Sequence, residues 1–275
     1  MRMKRGINPL GFTIVETMIF LAVSGALVLV GLTAISGTQG RSEFRVAVND
    51  AQQQIDKVIN NVTNGYYADT SNISCRNIGN NTVLQPTPSV AGTNLDCSFL
   101  GRVIWFRQSP APPAMVVYSV AGIRQTGGVD KKEVVSMSEA DPDVIESSRE
   151  EILLKNGLTI GSVSIGASPN IGAVGFFTSF GSYTSSGGLG SSSSKYNFAG
   201  LSGTTTSTDN IRASINDSAF RNHYDNNNPN FGKNPNDGIR VCLLGGDNQR
   251  AYITIGGQGK LATTTLSISP GSVCP

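Results

Sequence analysis

Two hydrophobic patterns follow one another at the amino-terminal end of the chain, and they have different periods. From Phe12 to Ile35 the sequence FTIVETMIFLAVSGALVLVGLTAI has no polar face; small residues, hydroxyls and the single carboxylate of Glu16 are its only interruptions. As a helix, about 24 residues extend about 36 Å, enough to cross the hydrocarbon core of a bilayer. Arg2, Lys4 and Arg5 precede this run, and no basic residue follows it until Arg41. That asymmetry predicts residues 1–11 on the cytoplasmic side and everything after about residue 36 across the membrane.

From Ser42 to Val62 the pattern changes to steps of three and four. Phe44, Val48, Ala51, Ile55, Val58, Ile59 and Val62 form one apolar stripe, while Arg45, Asn49, Gln53, Asp56 and Lys57 form the opposite face. This is an amphipathic helix that lays its stripe on something apolar. Beyond Asn64 the helical signal ends, and residues up to Cys97 read as a loop-rich stretch. Short β-branched and aromatic runs then predict strands at Ser98–Gln108, Ala114–Arg124, Leu158–Ala167, Ile171–Ser179, Gly238–Leu244, Arg250–Ile255 and Lys260–Leu266. Gly256-Gly257-Gln258-Gly259 reads as a hairpin connection between the last two. One short helix is expected at Pro142–Lys155, with Asp141 as its cap, proline in its first turn and Gly157 after its end. The Ser/Gly/Thr-rich Ser179–Asn210 and the Asn-rich Asn226–Asn236 bury little and read as long exposed loops.

The expected class is therefore α+β, a long amino-terminal helix on an antiparallel β-sheet head. Its divisions are a leader at 1–11, a membrane-spanning helix at 12–35, a stalk helix at 36–64 and a β-rich extracytoplasmic head at 65–275. Composition agrees: 32 glycines and only 15% charged residues favour turns and strands over a helical bundle. The net charge of +2 comes from the leader, whose three basic residues leave 18 basic against 19 acidic residues beyond them. Cys75, Cys97, Cys242 and Cys274 all follow the apolar run. In an extracytoplasmic head they become disulfide candidates, with spacing in favour of Cys75–Cys97 and Cys242–Cys274 among the three possible connectivities. A zinc site is disfavoured, because there is no Cys-x-x-Cys pair and the one histidine, His223, has no cysteine at zinc-motif spacing.

A cleaved secretory signal is shorter than this apolar run and carries no acid, and a plain anchor leaves Glu16 unexplained. The string Gly11-Phe12-Thr13-Ile14-Val15-Glu16, after a short basic leader and before an unbroken apolar run, resembles the processing site of type IV prepilins and of type II secretion pseudopilins. The resemblance covers about the first 60 residues. It implies cleavage between Gly11 and Phe12 by a membrane prepilin peptidase and N-methylation of Phe12. It also implies assembly in which Glu16 pairs with the terminal amine of a neighbouring subunit. The implied partners are the peptidase, other pilin or pseudopilin subunits, an inner-membrane assembly platform, and membrane lipid before assembly. The span lacks the mid-helix proline of many major pilins; Gly25, Gly31 and Gly37 are its flexible points. The closing segment from Ile239 to Leu261 also resembles the terminal hairpin of larger minor pseudopilins. A single-pass membrane-anchored binding protein, an adhesin or a DNA receptor, is the competing class.

No catalytic residue, cofactor or metal is expected. His223 lies in an Asn-rich stretch that is a poor place for an oriented base, and no nucleophile elbow, P-loop or dinucleotide fingerprint occurs. Asp225, Asn227, Asn230 and Asp237 offer oxygen ligands without the spacing of a helix-loop-helix calcium site. Glu139, Asp141, Asp143, Glu146, Glu150 and Glu151 read as caps and a solvated face. Arg212, Arg221, Lys233 and Arg240 with Phe220, Tyr224 and Phe231 are a thin basic and aromatic set, the one hint of DNA as a partner.

Overall fold

A computed structural model describes residues 13–64, 73–78, 81–86, 97–108, 112–125, 133–165, 168–169, 171–178, 196–202, 208–217, 238–246, 248–257 and 260–268. Helix α1, Ile14–Thr63, is built from both sequence patterns in turn. The chain divides into two compact units, Met1–Glu43 and Phe44–Pro275. In the first, twelve large hydrophobic side chains between Ile14 and Leu32 are exposed, Ile14 at 76% and Phe20 at 71%.

In the second unit the whole predicted stripe, Phe44, Val48, Ala51, Ile55, Val58, Ile59 and Val62, is buried together with Ala47. Arg45, Asn49, Gln53 and Lys57 stay exposed, as the 3.6-residue period requires. Val48, Ile55, Val58, Ile59 and Val62 lose rotamer freedom in a helix, a small cost. Burial outweighs it at about 1.5–3 kcal/mol per large side chain.

The stripe joins a core made by two five-stranded sheets in which every pairing is antiparallel. The strands are β3 (Cys97–Arg107), β4 (Ala114–Ile123), β5 (Asp143–Leu153), β6 (Thr159–Ile165), β7 (Ser168–Pro169), β8 (Ile171–Thr178), β9 (Tyr196–Ser202), β10 (Ile239–Leu244), β11 (Arg250–Gly257) and β12 (Lys260–Ile268). The central sheet runs β5-β4-β3-β8-β9 and the outer sheet β12-β11-β10-β6-β7. A separate hairpin is formed by β1 (Ile73–Ile78) and β2 (Asn81–Pro86).

Alternation along the strands divides the core. Ile104, Phe106, Met115, Val117, Val174 and Phe176 face the α1 stripe and the outer sheet's Val163, Val241 and Ile253. Val103, Trp105, Val116, Tyr118, Ala173 and Phe177 face the other way, onto α2 (Met137–Ala140) and α3 (Thr208–Asn216) through Met137, Ala140, Ile211 and Ile215. A sheet covered on both faces has no polar face, so all ten residues of β4 are buried. At the bulge of β3, Gly101 has φ +158 and lies so near the Phe176 carbonyl that any Cβ there would clash.

The structure corrects three expectations. Pro142–Lys155 is not a helix: Asp143–Leu153 is the edge strand β5, paired with β4. Its glutamates and arginine are good helix formers, but tertiary context overrides propensity. Val144 and Ile145 fill buried sites, and the Ser148 hydroxyl accepts from the amide of Ser119 freed at the β4 bulge (2.8 Å). Asp141 accordingly ends a helix instead of starting one. It is the left-handed C-cap of α2 (φ 45), whose N-cap is Ser136, and Pro142 follows where a helix cannot continue. Asn156 (φ 53) and Gly157 (φ +67) form the turn between β5 and β6, closed by the Leu158 amide on the Lys155 carbonyl (3.0 Å). Both central residues have positive φ, which Asn-Gly tolerates. Second, the stretch from Asn64 to Cys97 contains the β1–β2 hairpin. Third, Ser179–Asn210 contains β9 and the beginning of α3.

Candidate membrane and assembly segment

At the start of α1, Thr13 is the N-cap. Its carbonyl accepts the first helical hydrogen bond from the Thr17 amide (3.1 Å), and its Oγ1 accepts from the Glu16 amide (3.3 Å). The Thr17 hydroxyl turns back onto the Ile14 carbonyl (2.8 Å). Glu16 is thus the third residue of the helix, exposed, and the one acidic residue of its first turn. The sequence assigns no role to Thr13, although Thr-x-x-Glu is the spacing of a capping box. Gly11 and Phe12 lie outside the described residues.

Ile14–Leu32 is the one described helix segment long and apolar enough to cross a membrane, and all of it is unburied. Soluble monomers rarely expose a contiguous apolar patch of more than a few hundred Å². A segment with twelve large exposed hydrophobic side chains exceeds that and calls for lipid or protein around it. Added Cβ atoms at Gly25 and Gly31 would meet nothing within 4 Å, so intrachain packing does not require glycine there. Gly37 falls among residues whose side-chain surroundings are not described.

In the head, Cys75 and Cys97 form a disulfide with Cα atoms 5.2 Å apart, which ties the β1–β2 hairpin to the first residue of β3. Cys242, buried on β10, is also disulfide-bonded. Cys274 lies outside the described residues.

The acidic residues are used in ion pairs and caps. The Glu139 amide donates to the Ser136 hydroxyl, and the Glu139 carboxylate accepts from the Val135 amide. Glu150 pairs with Lys57 of α1. Glu151 pairs with Arg107 and Arg149; the Arg107 hydrogen bond holds its carboxyl below the usual carboxylate range, against the opposing effect of burial. Arg212 of α3 donates to Asp143 (2.7 Å), Glu146 (3.1 Å) and Asp209 (3.1 Å), and its pKa is raised chiefly by the bond to Asp143. Among the described residues no group of three or more His, Cys, Asp and Glu side chains is arranged to hold a metal ion.

Of the basic and aromatic set, Arg212 and Arg240 are described, and the fold separates them. Arg212 lies with α3 beyond one face of the central sheet. Arg240 is exposed between Ile239 and Val241, whose side chains face the α1 core, so it lies on the far side of the outer sheet. Arg221, Lys233, Phe220, Tyr224 and Phe231 are outside the described residues, as are Asp225, Asn227, Asn230, Asp237 and His223.

No family model, no curated protein and no solved structure matches the chain.

Proposed function

We propose that the chain is a subunit of a type IV pilus-like filament, a minor pilin or minor pseudopilin that is cleaved after Gly11 and assembled through its amino-terminal helix. The observation that carries this reading is the division of α1. From Ile14 to Leu32 the helix exposes every large apolar side chain and holds a lone carboxylate in its first turn, and from Phe44 to Val62 it buries an apolar stripe in a β-rich head. Cleavage between Gly11 and Phe12 creates an α-ammonium group at the membrane edge. A carboxylate at the centre of a span costs about 2.5–3.5 kcal/mol on insertion scales, so two opposite charges near each other in lipid gain by pairing. When apolar helices of neighbouring subunits stack, the Glu16 carboxylate of one meets the Phe12 amine of the next and sets their register. Before assembly the subunit is a single-pass membrane protein with its head outside the cytoplasm, and afterwards part of a pilus or pseudopilus at the cell surface or in the periplasm.

The partners are the prepilin peptidase, other pilin or pseudopilin subunits and the inner-membrane assembly platform. A minor role follows from a head with long Ser/Gly/Thr-rich and Asn-rich insertions, which suit a repeating lattice poorly. Intact-mass measurement of the mature chain tests the reading. A mass that begins at methylated Phe12 is expected; an intact leader or a cut near residue 36 overturns it.

A further inference from the structure

We propose that β12 is a docking strand for a second copy of the head, and that two copies join β12 to β12, antiparallel, about Thr265. A strand at the edge of a sheet leaves a row of N–H and C=O groups unpaired, and proteins blunt such edges with charge, proline, bulges, short strands or a cover. Three of the four edges of the five-stranded sheets are blunted in these ways. On β5, Glu146, Arg149, Glu150 and Glu151 are exposed and the pairing with β4 is bulged. β7 is 2 residues long and ends in Pro169. β9 is buried from Ala199 to Leu201, and the burial of Gly200 between them means that the backbone itself is covered. β12 is left open. It runs for 9 residues, β11 is its one partner strand among the described residues, and no charged residue follows Lys260 along it.

Thr264 holds Asp56 and Gln52 of α1 and Leu266 packs against the core, so Thr265 and Ser267, both exposed, point the other way. The open flank thus offers backbone groups and small hydroxyls, which an extended strand of like chemistry complements. β12 is itself such a strand. Antiparallel pairing about a two-fold axis at Thr265 sets Thr265 against Thr265 and Thr264 against Leu266 within a paired stretch of residues 262–268, and no like charges are opposed. A register centred one residue earlier puts Lys260 opposite Ile268, and one centred a residue later shortens the stretch to 264–268. Two-fold pairing uses up both open edges, so association stops at two copies and does not grow into a fibre. One strand from each copy buries less than a standard interface, so the dimer is weak in solution and gains where both copies are held on one surface.

The test uses the full-length chain in phospholipid vesicles, carrying Thr265→Cys or Ser267→Cys, with non-reducing electrophoresis after mild oxidation. Directly opposed residues of an antiparallel pair have Cα atoms about 4.5–5.5 Å apart, within reach of a disulfide. Ser267 and its counterpart lie about 13 Å apart along the strands, which is out of reach. Thr265→Cys should therefore give a covalent dimer and Ser267→Cys roughly tenfold less of it. The unaltered chain, whose described cysteines are disulfide-bonded, should give none. Association through the apolar helix alone would raise both variants equally. Equal or greater dimer from Ser267→Cys overturns the pairing, as does no dimer from a Thr265→Cys chain whose near-ultraviolet circular dichroism matches that of the unaltered protein. Neither result bears on the filament reading, which the mature mass tests separately.

Discussion

The hydroxyl of Thr264 on β12 donates to the Asp56 carboxylate of α1 (2.7 Å) and accepts from Gln52 Nε2 (2.9 Å). On the opposite flank of the same helix, Asp50 holds Lys155 (3.1 Å) and Lys57 holds Glu150 (3.5 Å). Polar contacts thus tie α1 to the edge strand of the outer sheet on one side and to β5 and the turn after it on the other. The two flanks differ in value. Thr264→Val leaves a half-buried carboxylate short of a donor and should cost about 1 kcal/mol. Lys57→Ala removes an exposed pair and should cost less than about 0.5 kcal/mol. Urea unfolding of the detergent-solubilised chain would rank them.

The stripe makes α1 from Phe44 onward part of the head's core. Ile55→Ala should therefore destabilise the head by about 2–5 kcal/mol through the cavity it leaves in the core that the stripe shares with both sheets. A chain that begins at Phe44 should fold, and one that begins at Gly65 should not; near-ultraviolet circular dichroism distinguishes them. A folded head without residues 44–64 would contradict the shared core.

Glu151 makes a prediction about pH. Its carboxyl is held below its ordinary value first by the hydrogen bond from Arg107, so the folded chain favours the ionised form. A depressed folded pKa contributes stability that is present above the unfolded carboxylate range and lost as pH falls through the folded value. The melting temperature of the solubilised chain should fall between about pH 5 and pH 3, and Glu151→Gln should flatten part of that slope. A slope unchanged by the substitution would remove Glu151 from the account.

Arg212 binds α3 to β5 by forking to Asp143 and Glu146 while it also meets Asp209. Arg212→Ala should cost about 1–2 kcal/mol, and Arg212→Lys should recover less than half, because an ammonium group does not offer the planar fork. Amide exchange in residues 208–217 reads the local effect.

Reduction of Cys75–Cys97 opens a loop with a sequence separation of 22 residues. Loop-closure entropy sets the loss at about 3 kcal/mol. The amides of β1 and β2 should exchange faster in reducing buffer, while those of β4 should not.

Features that depend on neighbours along the chain are legible in the order of its residues. The unbroken apolar run of Phe12–Ile35, the three- and four-step stripe from Phe44 to Val62 and the β-branched and aromatic runs at Ser98–Gln108 and Ala114–Arg124 are local patterns. Length, step and residue type along the chain are enough to reveal them.

Asp143–Leu153 is a strand because of contacts far away along the chain. Asp-Pro-Asp followed by Val-Ile-Glu-Ser-Ser-Arg-Glu-Glu carries every local sign of a helix start, but β4, buried on both faces, needed a partner at its open edge, and a strand there satisfies backbone groups that no local signal represents. The same holds for α3, whose polar sequence has just two deeply buried side chains, Ile211 and Ile215, and is held by the face of the central sheet opposite α1 and by the two β5 carboxylates, Asp143 and Glu146, on Arg212. Which sheet faces need covering, and which segments arrive to cover them, are set by contacts between residues distant in the chain, and those exist only once it is folded.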